Sequence, residues 1–187
     1  MPSPLRKRKT LRRFHVHAAI YFVTATTRRR RAILVDAAAD AVVLAFSRLR
    51  DEQRAAVLAY VVMPDHIHAL MQLGGDVEIG AVMKYLKRIA GNQIRRLGHW
   101  GSLWEARFYD RVMRDEGELA SAVHYIHENP VRAGLCARPE DWRWGTASPA
   151  VGSDLQSVQA EWESVGNHKS QWTPEATYHA PRILPRR

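Results

Sequence analysis

Two apolar segments joined by a Pro-Asp step constrain this fold more than anything else in the chain. Ala56–Met63 is an almost continuous run of alanine, valine, leucine and tyrosine, and it ends at Pro64-Asp65. His66–Leu73 follows at once. Proline presets the backbone for a turn and aspartate can bond its own main chain there. The chain therefore reverses, and the two runs pair as a hairpin that Gly74-Gly75 closes. Side chains alternate across a strand, so Ile67, Ala69, Met71 and Leu73 form an apolar face while His66, His68, Leu70 and Gln72 form the other.

The remaining elements fall around this hairpin. Val16–Thr27, rich in β-branched and aromatic residues, reads as a first strand. Asp36 is placed to cap a helix that runs to about Arg54, with Val42, Phe46 and Leu49 on its inner face. Asp76 is placed to cap a second helix through Leu97, whose inner side carries Ile79, Val82, Met83, Leu86 and Ala90. Gly98–Gly101 is a break and Arg107–Arg114 a short strand. Asp115 and Glu118 have the spacing of a capping box for a third helix, striped by Leu119, Ala122, Val123 and Ile126. Pro130 is expected to stop or kink it.

The order β-α-β-β-α-β, then a helix, is that of an α+β, ferredoxin-like split βαβ fold: an antiparallel sheet with helices packed on one face. At 187 residues the chain suits one well-buried domain. We divide it into a basic N-terminal arm (1–13), the folded domain (14–147) and an extended C-terminal tail (148–187), where the pattern decays into Gly, Ser, Pro and scattered charge despite Trp162 and Trp172.

A formal charge of +9 directs attention to polyanions, because cationic side chains near phosphates release condensed counterions. Charge alone does not distinguish DNA from RNA or from an anionic membrane. No apolar run approaches the ~20 residues that span a bilayer, and Ala18–Val23 is too short for the core of an export signal. The lone Cys136 rules out an internal disulfide and a multi-cysteine zinc site, which suits a reducing cytoplasm. A cytoplasmic, nucleoid-associated location is expected of a chain that partners DNA.

His66 and His68 point the same way, about 7 Å apart along their strand, and can share one metal ion. Taken alone, two histidines so spaced more often are simply polar residues at a strand start beside a turn. Tyr125 and Asn129, four apart, lie about 40° apart on a helical wheel at the edge of the apolar stripe. Such a tyrosine lays its ring on the sheet and its hydroxyl in a groove, and Asn129 offers a carbonyl oxygen to a hard cation. Taken singly, each also reads as a boundary residue. His127 and Glu128 point to other helix faces. Glu118 shares the tyrosine's face, but helix capping already occupies it.

The blocks Tyr60-Val-Val-Met-Pro-Asp-His-Ile-His-Ala-Leu70 and Tyr125-Ile-His-Glu-Asn-Pro-Val-Arg-Ala-Gly-Leu135 together resemble the two signature blocks of single-tyrosine HUH transposases. The second is most similar to the REP-associated, insertion-sequence-like branch, and the likeness covers roughly residues 14–147. The resemblance implies that His66 and His68 hold a divalent cation, Mg2+ or Mn2+, with Asn129 as a further ligand. It implies that Tyr125 attacks a single-stranded DNA phosphate to form a 5′-phosphotyrosine and a free 3′-OH. The partner it implies is single-stranded or hairpin DNA, with no membrane and no small-molecule cofactor; monomer or homodimer stays open. Where the family usually has a serine pair after a tryptophan, this chain has Gly145-Thr146 following Trp142-Arg143-Trp144. Base stacking and packing of the tail are both open to these tryptophans.

Candidate DNA contacts are Lys84, Lys87, Arg88, Arg95 and Arg96, a stripe on the second helix with no acidic residue from Ile79 to Arg96. Arg12 and Arg13 of the arm, and Arg28 and Arg29 of the run after the first strand, join them as phosphate contacts. Two competing functions share this frame: a non-catalytic nucleic-acid-binding module, and a metal-dependent phosphodiesterase that uses water.

Overall fold

The computed structural model describes residues 19–73 and 77–151. The arm with Arg12 and Arg13, Gly74-Gly75, Asp76 and the tail beyond residue 151 lie outside the described residues. The elements are β1 (Ile20–Thr26), α1 (Asp36–Asp51), β2 (Ala55–Met63), β3 (His66–Leu73), α2 (Ile79–Arg96), β4 (Tyr109–Val112) and α3 (Glu116–Arg132). The strands form one antiparallel sheet in the order β2-β3-β1-β4, the ferredoxin-like α+β arrangement.

The two helices of the split βαβ unit share one face of this sheet. They cover Tyr21, Val23, Ala25, Ile67, Ala69, Met71 and Leu73. The appended α3 crosses the opposite face, with Ile126 against Ala59, Val61, Met63 and Leu70. Leu119, Ala122 and Val123 pack at the same seam, so the apolar stripe read from the sequence is the one that docks. Cover on both sides explains why β2 is apolar almost throughout: neither of its faces meets water. A register shift between Val57 and Ala59 lets both parities of β2 reach a core.

Ile126 is fully buried and, with Pro130, makes up the buried part of α3. Ile126→Ala is expected to cost about 3 kcal/mol, the usual scale for deleting a large aliphatic group from a core. Urea denaturation measures it, and a cost under about 1 kcal/mol would mean that α3 is held elsewhere.

Helix ends depart from expectation in instructive ways. Asp36 does not cap α1. It lies in the first turn at φ 46, Val35 is the N-cap, and no side chain bonds there. Instead the Val35 carbonyl accepts from the Ala38 and Ala39 N–H groups. The helix α2 likewise begins after Glu78 without a side-chain cap. Asp115 does cap α3, accepting from Glu118 N at 2.8 Å. The return half of the box is displaced by one residue, since Glu118 accepts from Arg114 N at 3.2 Å.

Pro130 does not stop α3, which runs on to Arg132. Proline this late costs the helix one internal bond, at the Ile126 carbonyl. The end is fixed by Gly134 at φ 70. Its N–H returns to Val131 O, and the next N–H, of Leu135, returns to Pro130 O. This is the doubly bonded glycine closure common at helix C-termini.

The segment after α3 covers the β2 edge. Val62 N donates to Trp144 O, Thr146 N donates to Tyr60 O, and Gly145 bridges Val61. The indole of Trp142 donates to Val62 O, and that of Trp144 to Asp40. These tryptophans pack the chain against the domain and protect an otherwise open strand edge.

Candidate active site

The histidine face of β3 lies on the α3 side of the sheet, and Tyr125 comes down onto it. The ring of Tyr125 is 5.2 Å from that of His68 and 6.0 Å from Phe22, both edge-on. His66 and His68 are 4.7 Å apart, ring to ring, and Phe22 stacks on His68 at 5.4 Å. The Arg132 guanidinium sits over the Tyr125 ring at 5.6 Å. Tyr125 is 38% exposed whereas His68 is 6% exposed, so a wet phenol stands over a dry imidazole.

Both imidazoles are held by their Nδ1 atoms. Asp65 Oδ1 lies 2.5 Å from His66 Nδ1, and Arg30 Nε pairs with the other carboxylate oxygen at 2.9 Å. Thr24, directly across the β1–β3 register from His68, bonds His68 Nδ1 at 2.8 Å through its hydroxyl. In each ring Nε2 is thus the nitrogen left for a ligand. The Asp65 carboxylate accepts from His66 Nδ1–H and so sets the tautomer a ligating histidine needs. The Thr24 hydroxyl, accepting from Nδ1–H, is compatible with the same tautomer in His68. Burial, reinforced by the charges of His66 and Arg30, pushes His68 down to about 3, although Asp65 pulls the other way. Neutral imidazole is the form that binds metal. Burial alone would raise the Asp65 carboxyl. The hydrogen bond and charge of His66, with Arg30, outweigh it and hold that group below the ordinary carboxylate range.

Asn129 is half-buried one turn after Tyr125 on the same helix. Among the described residues no group of three or more His, Cys, Asp or Glu side chains forms a metal cage. The pair of imidazoles is therefore a partial donor set. It fits a cation that completes its coordination with amide, water or substrate oxygens.

The structure also places the candidate DNA contacts. Lys84, Arg88, Arg95 and Arg96 are exposed, but α2 lies across the sheet from the histidines. Lys87 is half-buried and its ammonium donates to the carbonyls of Glu105 and Arg107 at 2.8 and 3.2 Å. Burial pushes it down to about 8. It ties the stretch before β4 to α2. Arg28 and Arg29 are exposed, and Arg29 N donates to Glu105. Among the described residues, Arg30, Arg111 and Arg132 bring positive charge to the tyrosine's side of the sheet.

Sequence reasoning missed Asp65, Thr24, Arg30 and Arg132 as parts of the site. Asp65 read as turn chemistry alone, and Thr24 is found only once strand register is known. Arg132 was within reach, because its seven-residue spacing from Tyr125 is two helical turns.

Residues 15–129 match the family model described as "Transposase IS200 like", more than half of the chain. The chain belongs to this family. Membership places it among DNA-cleaving enzymes. It is similar to a REP-associated tyrosine transposase of Escherichia coli (strain K12), with 25% identity over 148 residues, 79% of this chain and 87% of that one. Its fold is also that of a solved REP-associated tyrosine transposase bound to a REP hairpin. That likeness has a TM-score of 0.64 at 22% identity and covers 95% of this chain and all of the other. Among the described residues no helix is long and apolar enough to cross a membrane.

Proposed function

We propose that this protein nicks and rejoins single-stranded DNA flanking a hairpin, with Tyr125 as the covalent nucleophile and His66, His68 and Asn129 as ligands of a divalent cation. The observation that carries this reading is the approach of Tyr125 to His68, ring centres 5.2 Å apart, above imidazoles whose Nδ1 atoms are both engaged. The REP-hairpin partner of the solved relative supports hairpin DNA as the substrate class.

The phenolic oxygen attacks phosphorus and a tyrosyl P–O bond forms. The P–O3′ bond breaks, the phenolic proton is released, and the departing 3′-oxygen takes up a proton to become a free 3′-OH. The phosphotyrosine keeps the bond energy, so a second 3′-OH can reverse the step and join strands. A free phenol with its ordinary pKa near 10 attacks poorly at neutral pH. A bound Mg2+ or Mn2+ would withdraw charge from the phosphate oxygens and stabilise the transition state. Arg132, beside the tyrosine ring, adds positive charge where phenolate and phosphate meet. Asp65 and Thr24 orient the imidazoles.

The test is an SDS-stable adduct. Labelled hairpin DNA with single-stranded flanks is incubated with the protein and Mg2+ or Mn2+, with EDTA as control. A metal-dependent protein–DNA species is expected. Cleavage without any adduct, or no cleavage of any hairpin, overturns the reading.

Asp65→Asn is expected to weaken Mn2+ binding by about 10- to 100-fold, the usual consequence of losing the carboxylate behind a ligating histidine. Titration calorimetry with Mn2+ alone measures it. Unchanged affinity would make Asp65 a turn residue only.

A further inference from the structure

An open groove of about 520 Å³ runs between the N-terminal half of α3 and the β4 edge of the sheet, and Tyr125 closes one end of it. Its volume falls in the range that built ligand sites occupy. Phe22, Tyr109 and Met113 supply its apolar walls, with Tyr109 49% exposed. Its polar wall holds Ser121 and a pair, Arg111 Nη2 to Glu118 Oε1 at 2.5 Å. Glu118 is held in turn by Arg114 N, so the guanidinium is fixed from behind. One carboxylate oxygen engages only part of the five-donor fork.

We infer that this groove is a specificity subsite that seats an unpaired nucleobase adjoining the bond Tyr125 attacks. This rests on the strand-transfer reading, since Tyr125 sets where the scissile phosphate lies. Because Tyr125 lines this groove, a strand whose phosphate meets the phenol has the groove within reach of its neighbouring nucleotide. That space offers a base what it needs once unstacked. Aromatic surface at Tyr109 and Phe22 receives its face, and Arg111 with Glu118 presents a donor and an acceptor to its edge. The cationic fork also complements the strand's charge. A duplex cannot enter, because its bases are already stacked and paired.

The test uses 2-aminopurine, placed one position at a time along the single-stranded flank of a hairpin oligonucleotide. Binding of the wild-type protein should quench the probe sharply at one position next to the cleaved bond. Tyr109→Ala should abolish that quench and weaken binding about tenfold, the scale of one lost base stack. Arg111→Ala should flatten the base preference at the same position by about tenfold, as expected for one lost edge contact. Leu44→Ala, on the exposed side of α1 across the sheet, should change neither. The probe reports binding whether or not cleavage occurs. Uniform quenching along the flank, or a sharp quench unchanged by Tyr109→Ala and a preference unchanged by Arg111→Ala, overturns the subsite even where adducts form. A sharp, Tyr109-dependent quench without any adduct leaves the subsite standing and removes the strand-transfer reading instead.

Discussion

Replacing Tyr125 with phenylalanine is expected to abolish the covalent adduct while leaving the fold and DNA binding intact. The substitution removes a single oxygen. The ring contacts with His68, Phe22 and Arg132 involve carbon faces and edges that phenylalanine keeps. With 38% of the residue exposed, no buried hydroxyl partner is orphaned, so stability should stay within about 0.5 kcal/mol of wild type. Affinity for uncleaved hairpin DNA should change by less than about threefold, because it rests on distributed cations. Adduct formation should fall by about 10³-fold or more, the scale expected when the nucleophile of a covalent mechanism is deleted. Gel analysis of the adduct, with a parallel binding titration, reads both effects. An adduct that persists in Tyr125→Phe would move the nucleophile elsewhere, and Tyr109, exposed in the same groove, is the residue to examine next. Cleavage that persists without an adduct would instead mean attack by water.

The second large effect is acid instability that originates at His68. Its imidazole is buried and held neutral, with its titration pushed down to about 3. In the unfolded chain it titrates near 6.5. Between these values the unfolded state binds more protons than the native state, so stability is greatest above pH 6.5 and is lost as pH falls. The contribution to the loss is roughly 3 kcal/mol by pH 4. Asp65, held below the ordinary carboxylate range, adds its own loss at lower pH. A comparison with His68→Gln, in EDTA, isolates the histidine. The variant should be less stable at pH 8 but show a shallower decline between pH 6.5 and 4. Parallel pH profiles for the two proteins would mean that His68 is accessible to protons in the folded state.

The sequence told the order and type of the four strands and three helices, most plainly where an apolar period runs through the element. It also told which face of β3 holds the histidines, since alternation there is strict. What it withheld lies mostly between elements. Asp36 looked like a cap because residue type was visible and backbone φ was not. Pro130 looked like a stop because its steric cost is local, whereas the closure at Gly134 that lets α3 continue depends on two return hydrogen bonds. Thr24 faces His68 only through a pairing across 44 residues. The basic stripe of α2 is real as a stripe, yet its distance from the tyrosine follows from which side of the sheet each helix takes. Lys87 belonged to that stripe by spacing, but the fold turns its ammonium onto two carbonyls.

The continuation of α3 past Pro130 to Arg132 has a mechanical consequence. Arg132 rides on the same rigid rod as Tyr125, while the imidazoles are rooted in the sheet. Tilting or sliding the rod would carry phenol and guanidinium together and alter only their distance to the histidine pair. Ile126 and Pro130 alone are buried along that rod, against seven such residues on α1 and nine on α2. Attacking group and counter-charge therefore travel as one piece on a lightly moored layer, anchored by Ile126 and Pro130 and steadied along the seam by Leu119, Ala122 and Val123.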